Sequence, residues 1–230
     1  MKKINTILLV LLALFAQASE KTLQQLSSVN VQWQKQTDIS SVLSETSIAP
    51  GINHIDLIAL HLELVEKTLK SRSVAHLNTQ QKANRKELLN KLNAYWQAKQ
   101  FPINDYLTYK SPVFIDRFGT HCAVGYLMQQ SGYENLAREI DSKQKFAFVH
   151  DIKVKGVDKW AQEQGFTIDE LAWIQPGYWV TTTANDLSGG VNGQVNAIVV
   201  EQGGMGIYVA GEFNTAGGTV AANNIAVYQS

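Results

Sequence analysis

One change of pattern constrains this chain more than any other feature. Between Leu23 and Ile174, in stretches separated by loops such as Thr37 to Pro50 and Ser71 to Asn78, the apolar residues recur at three- and four-residue steps, the spacing of helices that bury one stripe. After Tyr178 that spacing stops. Short apolar runs (Val195 to Val200, Ile207 to Ala210, Ile225 to Tyr228) then alternate with Gly and Asn, and Gly203-Gly204 offers hairpin chemistry between the first two. The expected class is α+β and multidomain. A mainly α-helical domain at 19–177 precedes a short antiparallel β module at 178–230.

Residues 1–18 read as a signal peptide. Lys2 and Lys3 supply the positive start, Ile7 to Phe15 the apolar run, and Ala16-Gln17-Ala18 a small-x-small site with cleavage after Ala18. The run is too short to cross about 30 Å of hydrocarbon; an uncleaved anchor or a core helix is the alternative. No later stretch is long and apolar enough to cross a bilayer, so the expected location is secreted, periplasmic or cell-surface. The 20 basic and 20 acidic residues become 18 and 20 once Lys2 and Lys3 are removed, a net charge near −2. Nothing there releases phosphate counterions, which argues against nucleic acid as a partner. A single cysteine in an exported chain excludes an internal disulfide framework, so apolar burial must stabilise the fold.

The helices can be placed in order. Leu23, Leu26, Val29 and Trp33 predict a first helix over 21–36. Asn53 caps a second, over 51–69, whose buried stripe is Ile55, Ile58, Leu62, Val65 and Leu69. A third runs over 79–99 from Asn78 or Thr79. Leu88, Leu89, Leu92, Tyr95 and Trp96 lie on its apolar side, with Lys82, Arg85, Lys86 and Lys91 in solvent. These two should form a hairpin, because each stripe needs an apolar partner. Pro102 ends the third helix. Short helices follow at 122–130, 134–140 and 154–164. The last starts at Thr167, with Glu170 three residues on as a capping box, and stops near Pro176-Gly177.

Between the hairpin and the short helices lies Ser111 to Gly132, SPVFIDRFGTHCAVGYLMQQSG, which holds the only cysteine. Cys122, His121 and Asp116 are the candidate catalytic residues. A thiolate needs a base or a helix N-terminus to lower its pKa. Adjacent residues on a helix do not face one another, so His121 is poorly placed as that base; His61, His76 or His150 would have to reach Cys122 through the fold. Free cysteine is also a common buried residue, and Asp116 fits a turn in which a carboxylate accepts backbone N–H bonds. The stretch reads as a packing hub. Phe114 and Ile115 enter the core, Asp116 and Gly119 shape a turn, and Cys122 to Met128 pack beneath the hairpin.

Other sites are weaker. His54 and His61 are about 10.5 Å apart along a helix, too far for one zinc ion. A site from His61, His121 and Cys122 lacks local ligand pairs, so neither metal nor cofactor is expected. Asn185 to Ser188 lacks the calcium-loop pattern and reads as a turn. Ser188-Gly189-Gly190 and Gly203-Gly204 precede no lysine and no helix, so they are not phosphate loops. Trp160, Trp173, Tyr178 and Trp179 could line a sugar platform, but core or inter-domain packing accounts for them more simply.

Two stretches carry a resemblance. The residues Val191-Asn192-Gly193-Gln194-Val195-Asn196-Ala197, Ile207 to Phe213, Thr215-Ala216-Gly217-Gly218 and Asn223 to Tyr228 resemble one blade of a secreted β-propeller repeat of G-x-F-x-x-A-G-G type. The residues Pro112 to Asp116, Gly119-Thr120, Cys122 to Leu127 and Glu170 to Tyr178 resemble an uncharacterised helical region that precedes such propellers in exported bacterial proteins. The resemblance implies an exported surface, binding or scaffold protein with a protein or glycan ligand; it implies no reaction. A propeller needs about four to eight blades, and one repeat cannot bury its own faces. The chain is therefore expected to be a piece of a longer protein, the alternative being a truncated relative whose blade packs on the helical part. The alternative from another class is a thiol-dependent hydrolase or transferase using Cys122.

Overall fold

Side-chain caps set where the helices begin. Asn53 accepts the Asp56 N–H at 2.9 Å, and Asn78 and Thr167 each form a complete capping box, with Gln81 and Glu170. The computed structural model describes residues 17–179, 190–200, 206–216, 220–222 and 224–229. Among them are eight α-helices. They are α1 (residues 17–29), α2 (Ser40–Glu45), α3 (His54–Ser71), α4 (Thr79–Ala98), α5 (Ala123–Gln130), α6 (Glu134–Gln144), α7 (Val157–Glu163) and α8 (Ile168–Ile174). Five strands follow: β1 (Gln194–Val200), β2 (Gly206–Glu212), β3 (Thr215–Ala216), β4 (Val220–Ala221) and β5 (Ile225–Gln229). The class is α+β. The leader expected at 1–18 lies almost wholly outside the described residues, as do Asn185 to Ser188 and Gly203-Gly204.

The chain divides into two compact units, residues 1–104 with 109–179 and residues 105–108 with 180–230. In the first, α3 and α4 form the expected hairpin. Glu66 of α3 accepts from Asn93 at 3.0 Å and from the Trp96 indole at 2.6 Å, both on α4. The core runs from Leu26 to Tyr178, with Trp33, Leu62, Leu92, Phe114, Trp160 and Trp173 fully buried. The turn between α7 and α8 is tight. Gly165 has φ +73°, and a Cβ there would stand 2.7 Å from the Gln81 carbonyl oxygen, so only glycine fits.

Four sequence expectations are corrected here. The first helix is not continuous over 21–36. It ends at 29, Asn30 adopts extended backbone, and a 3-10 turn follows at Val31–Lys35. The cause is the Asn30 side chain, which accepts from Gln32 N–H and donates to the carbonyls of Ala172, Trp173 and Gln175 at 2.8–2.9 Å. Ile55 is exposed, because the buried face of α3 is centred on Leu57, Ile58, His61, Leu62, Val65 and Leu69. Arg85 is buried rather than solvated, since its guanidinium is matched by the Glu170 carboxylate. Tyr178 does not begin the β module. It pairs with Ser111 inside the helical unit, through Ser111 N–H to Tyr178 O (3.2 Å) and Tyr178 N–H to Ser111 O (2.8 Å).

In the second unit, β1, β2 and β5 form an antiparallel sheet in that spatial order, and β3 pairs with β4. Ala197 to Val200 face Ala210 to Ile207, with a bulge between Val195 and Ala197. Val209, Phe213 and Ala216 are buried, whereas Ile198, Val199 and Ile225 are exposed.

Candidate functional site

The stretch holding Asp116, His121 and Cys122 folds as a tight hairpin. Cys122 N–H donates to Phe114 O at 2.8 Å, Asp116 N–H to Thr120 O at 3.0 Å, and Gly119 N–H to Asp116 O at 3.1 Å. Gly119 takes φ +83°, which its turn position requires. The Asp116 carboxylate accepts the N–H groups of Phe118 and Thr120 on one oxygen and of Ile103 on the other. The first two are the turn bonds that the spacing suggests. The third anchors the segment after α4, a contact that no local pattern reveals.

Cys122 is the N-cap of α5, and its sulfur accepts the Gly125 N–H at 3.3 Å. The side chain is fully buried, and that burial pushes the thiol up to about 12, against the smaller pull of the Gly125 and Val124 N–H groups. The environment favours the neutral thiol. The His121 ring is engaged elsewhere, with Nδ1 3.1 Å from Gly119 O and Nε2 3.1 Å from Glu134 Oε2. Arg138 meets the other Glu134 oxygen at 2.6 Å. The hairpin thus gathers the three residues in one place and gives each a separate partner.

The other histidines are scattered. His61 is buried in α3, where the Trp33 indole donates to Nδ1 at 2.8 Å. Its neutral ring therefore carries the proton on Nε2, which lies towards the Ile174 and Trp173 carbonyls without a well-formed hydrogen bond. Burial pushes its pKa down to about 3. His150 meets Asp169 at 2.8 Å, and His76 is exposed. Among the described residues no group of three His, Cys, Asp or Glu side chains is placed to hold a metal. Of the aromatic set, Trp160, Trp173 and Tyr178 are core residues. Trp160 donates to Ser131 Oγ at 2.9 Å, and Trp173 meets Trp33 edge-on at 4.9 Å.

Trp179 has a different setting. His54 stacks on its ring at 4.3 Å, and the Lys110 ammonium lies 5.1 Å from its centroid. Lys110 also donates to the Ser28 carbonyl. Its stem crosses Gly177, with Cε 3.3 Å from where a Cβ would stand. Burial pulls the Lys110 pKa down. His54 is lowered too, first by burial and then by the Lys110 charge. Beside Lys110 opens a cleft of about 110 Å³. Val29, Val31, Pro112, Phe148 and Ala172 supply apolar wall, and Gln32, His150 and Gln175 its polar margin. Sequence reasoning did not find this cleft. Its residues come from four separated segments, and Lys110 has no spacing that marks it.

No described helix is long and apolar enough to cross a membrane. Comparison with protein-family models, with curated proteins and with solved structures gives no match.

Proposed function

We propose that this chain is an exported, non-enzymatic binding or scaffold protein of a bacterial surface. In this reading the helical unit accompanies a propeller-type β repeat, and the ligand is a protein or a glycan. One observation carries the proposal: the motif residues that resemble the propeller-associated helical region are occupied in building the fold. Asp116 holds three backbone N–H groups, Cys122 caps α5 from the core, and Glu170 pairs with Arg85. Gln175 bonds Ala147 and Val149, and Tyr178 joins Ser111. The leader pattern at 1–18 supports export, and the order β1-β2-β5 with its hairpin register is compatible with a blade.

The second reading is a thiol-dependent hydrolase or transferase using Cys122, with His121 and Asp116 beside it. It is favoured by the position of Cys122 at a helix N-terminus, where the helix dipole lowers a thiol pKa. Burial opposes that effect and exceeds it. Alkylation decides between them. At pH 7, iodoacetamide should leave Cys122 unmodified in the folded protein and modify it fully once urea is added, as followed by intact mass. Rapid labelling of the folded chain would favour the enzyme.

A further inference from the structure

The cleft beside Lys110 combines two features that together define a ligand. The first is an ammonium without a counter-charge. Lys110 is an exposed residue whose stem lies over Gly177, and among the described residues no carboxylate lies within salt-bridge distance of it. Its partners are the neutral Ser28 carbonyl and the face of Trp179. Its charge reaches outward unneutralised, and both His54 and His61 are lowered partly by it. Asp169, a carboxylate beside the cleft margin, lies 2.8 Å from the His150 ring. A cation held against a protein wall attracts an anion more strongly than one in open water.

The second feature is the wall. Val31 and Phe148 are 51% and 53% exposed, although both flank a concave surface whose floor is Val29, Pro112 and Ala172. The floor is rigid. Asn30 and Gln175, both buried, fix the end of α8, and Gly177 N–H donates to Val29 O at 3.0 Å. About 110 Å³ suits a short branched aliphatic group. We infer that this cleft binds a monocarboxylate on a short branched aliphatic stem, with the carboxylate on Lys110 and the stem between Val31, Phe148 and Pro112. The inference deepens the binding-protein reading and rests on it. The same chemistry is offered by a free short-chain acid and by the C-terminal valine or leucine of a peptide.

The test is a titration of the full chain by two-dimensional amide NMR, using 3-methylbutanoate, its neutral analogue 3-methylbutanamide, and N-acetylvaline. Saturable shifts are expected at Gln32, Lys110, Ser111 and Phe148, with the amide at least tenfold weaker. N-acetylvaline binding more tightly than 3-methylbutanoate assigns a peptide terminus, and the reverse order assigns a free acid. Lys110→Met keeps the stem over Gly177 and should weaken 3-methylbutanoate at least tenfold. Val31→Glu, on the exposed rim, should do the same by repulsion and leaves Lys110 in place should the methionine variant fail to fold. No saturable shift, equal binding of the amide, or unchanged binding in a folded variant would overturn the site. Failure here leaves the Cys122 alkylation result as it stands, and a reactive Cys122 would overturn the binding-protein reading without altering this titration.

Discussion

His61 shows how a single buried group couples this fold to pH. Its ring is inaccessible to water, accepts from Trp33, and is held neutral with a pKa of about 3, against 6.5 when unfolded. A depressed pKa means that the unfolded chain binds the extra proton first. The stability that depends on neutral His61 is complete above pH 6.5 and is lost as pH falls towards 3. Within that window one differential proton corresponds to about 1.4 kcal/mol per pH unit. Urea unfolding at pH 7, 6, 5 and 4 should show this contribution. His61→Gln can still accept from the Trp33 indole but cannot gain a charge, so its stability should fall less steeply with acid. Identical slopes for the variant and the parent would show that His61 is not the acid-sensitive group.

At the scale of elements, the capped starts of α3, α4 and α8 were legible, whereas α2, whose N-cap Ile39 makes no side-chain bond, and the contacts joining the helices were not. Asn53, Asn78 and Thr167 cap their own first turns, so the signal and the structure lie within four residues of each other. Asp116 and Gly119 were legible for the same reason. Arg85 was read as solvated because its partner is 85 residues away. It donates to both oxygens of Glu170, at 2.7 and 2.8 Å, and to Gly165 O at 2.8 Å, and it lies 4.7 Å from the centroid of the Phe166 ring. Glu170 was recognised only as a capping residue, although it also supplies this long-range contact. Asn30 interrupts the first helix for a reason 142 residues downstream, and the Lys110 cleft depends on the same closure. The two jobs of Glu170 can be separated. Glu170→Gln keeps a capping amide but leaves the buried guanidinium uncompensated, at a cost of about 3 kcal/mol. Thr167→Ala removes the cap alone and should cost about 1 kcal/mol. Equal losses for the two substitutions in urea midpoints would mean that the ion pair contributes little to joining α4 and α8.

Over the whole molecule, stability is distributed unevenly between the two units. The contiguous apolar core is built from residues between Leu26 and Tyr178, all of the helical unit. The β unit buries Val209, Phe213 and Ala216 but leaves Ile198, Val199 and Ile225 in water. A three-stranded sheet with apolar residues left open is marginal by itself. A chain of residues 19–179 should therefore keep the helical circular-dichroism signal and unfold in one cooperative step. Of the second unit it keeps residues 105–108 only. Residues 180–230 alone should show no cooperative transition, because among the described residues of this unit only Val209, Phe213 and Ala216 are buried apolar residues. Failure of the 19–179 chain to unfold cooperatively would mean that the helical core depends on residues beyond Trp179. A stable, monomeric 180–230 chain would mean that one blade-like sheet can bury enough surface to fold alone, which would remove the physical reason for expecting further blades.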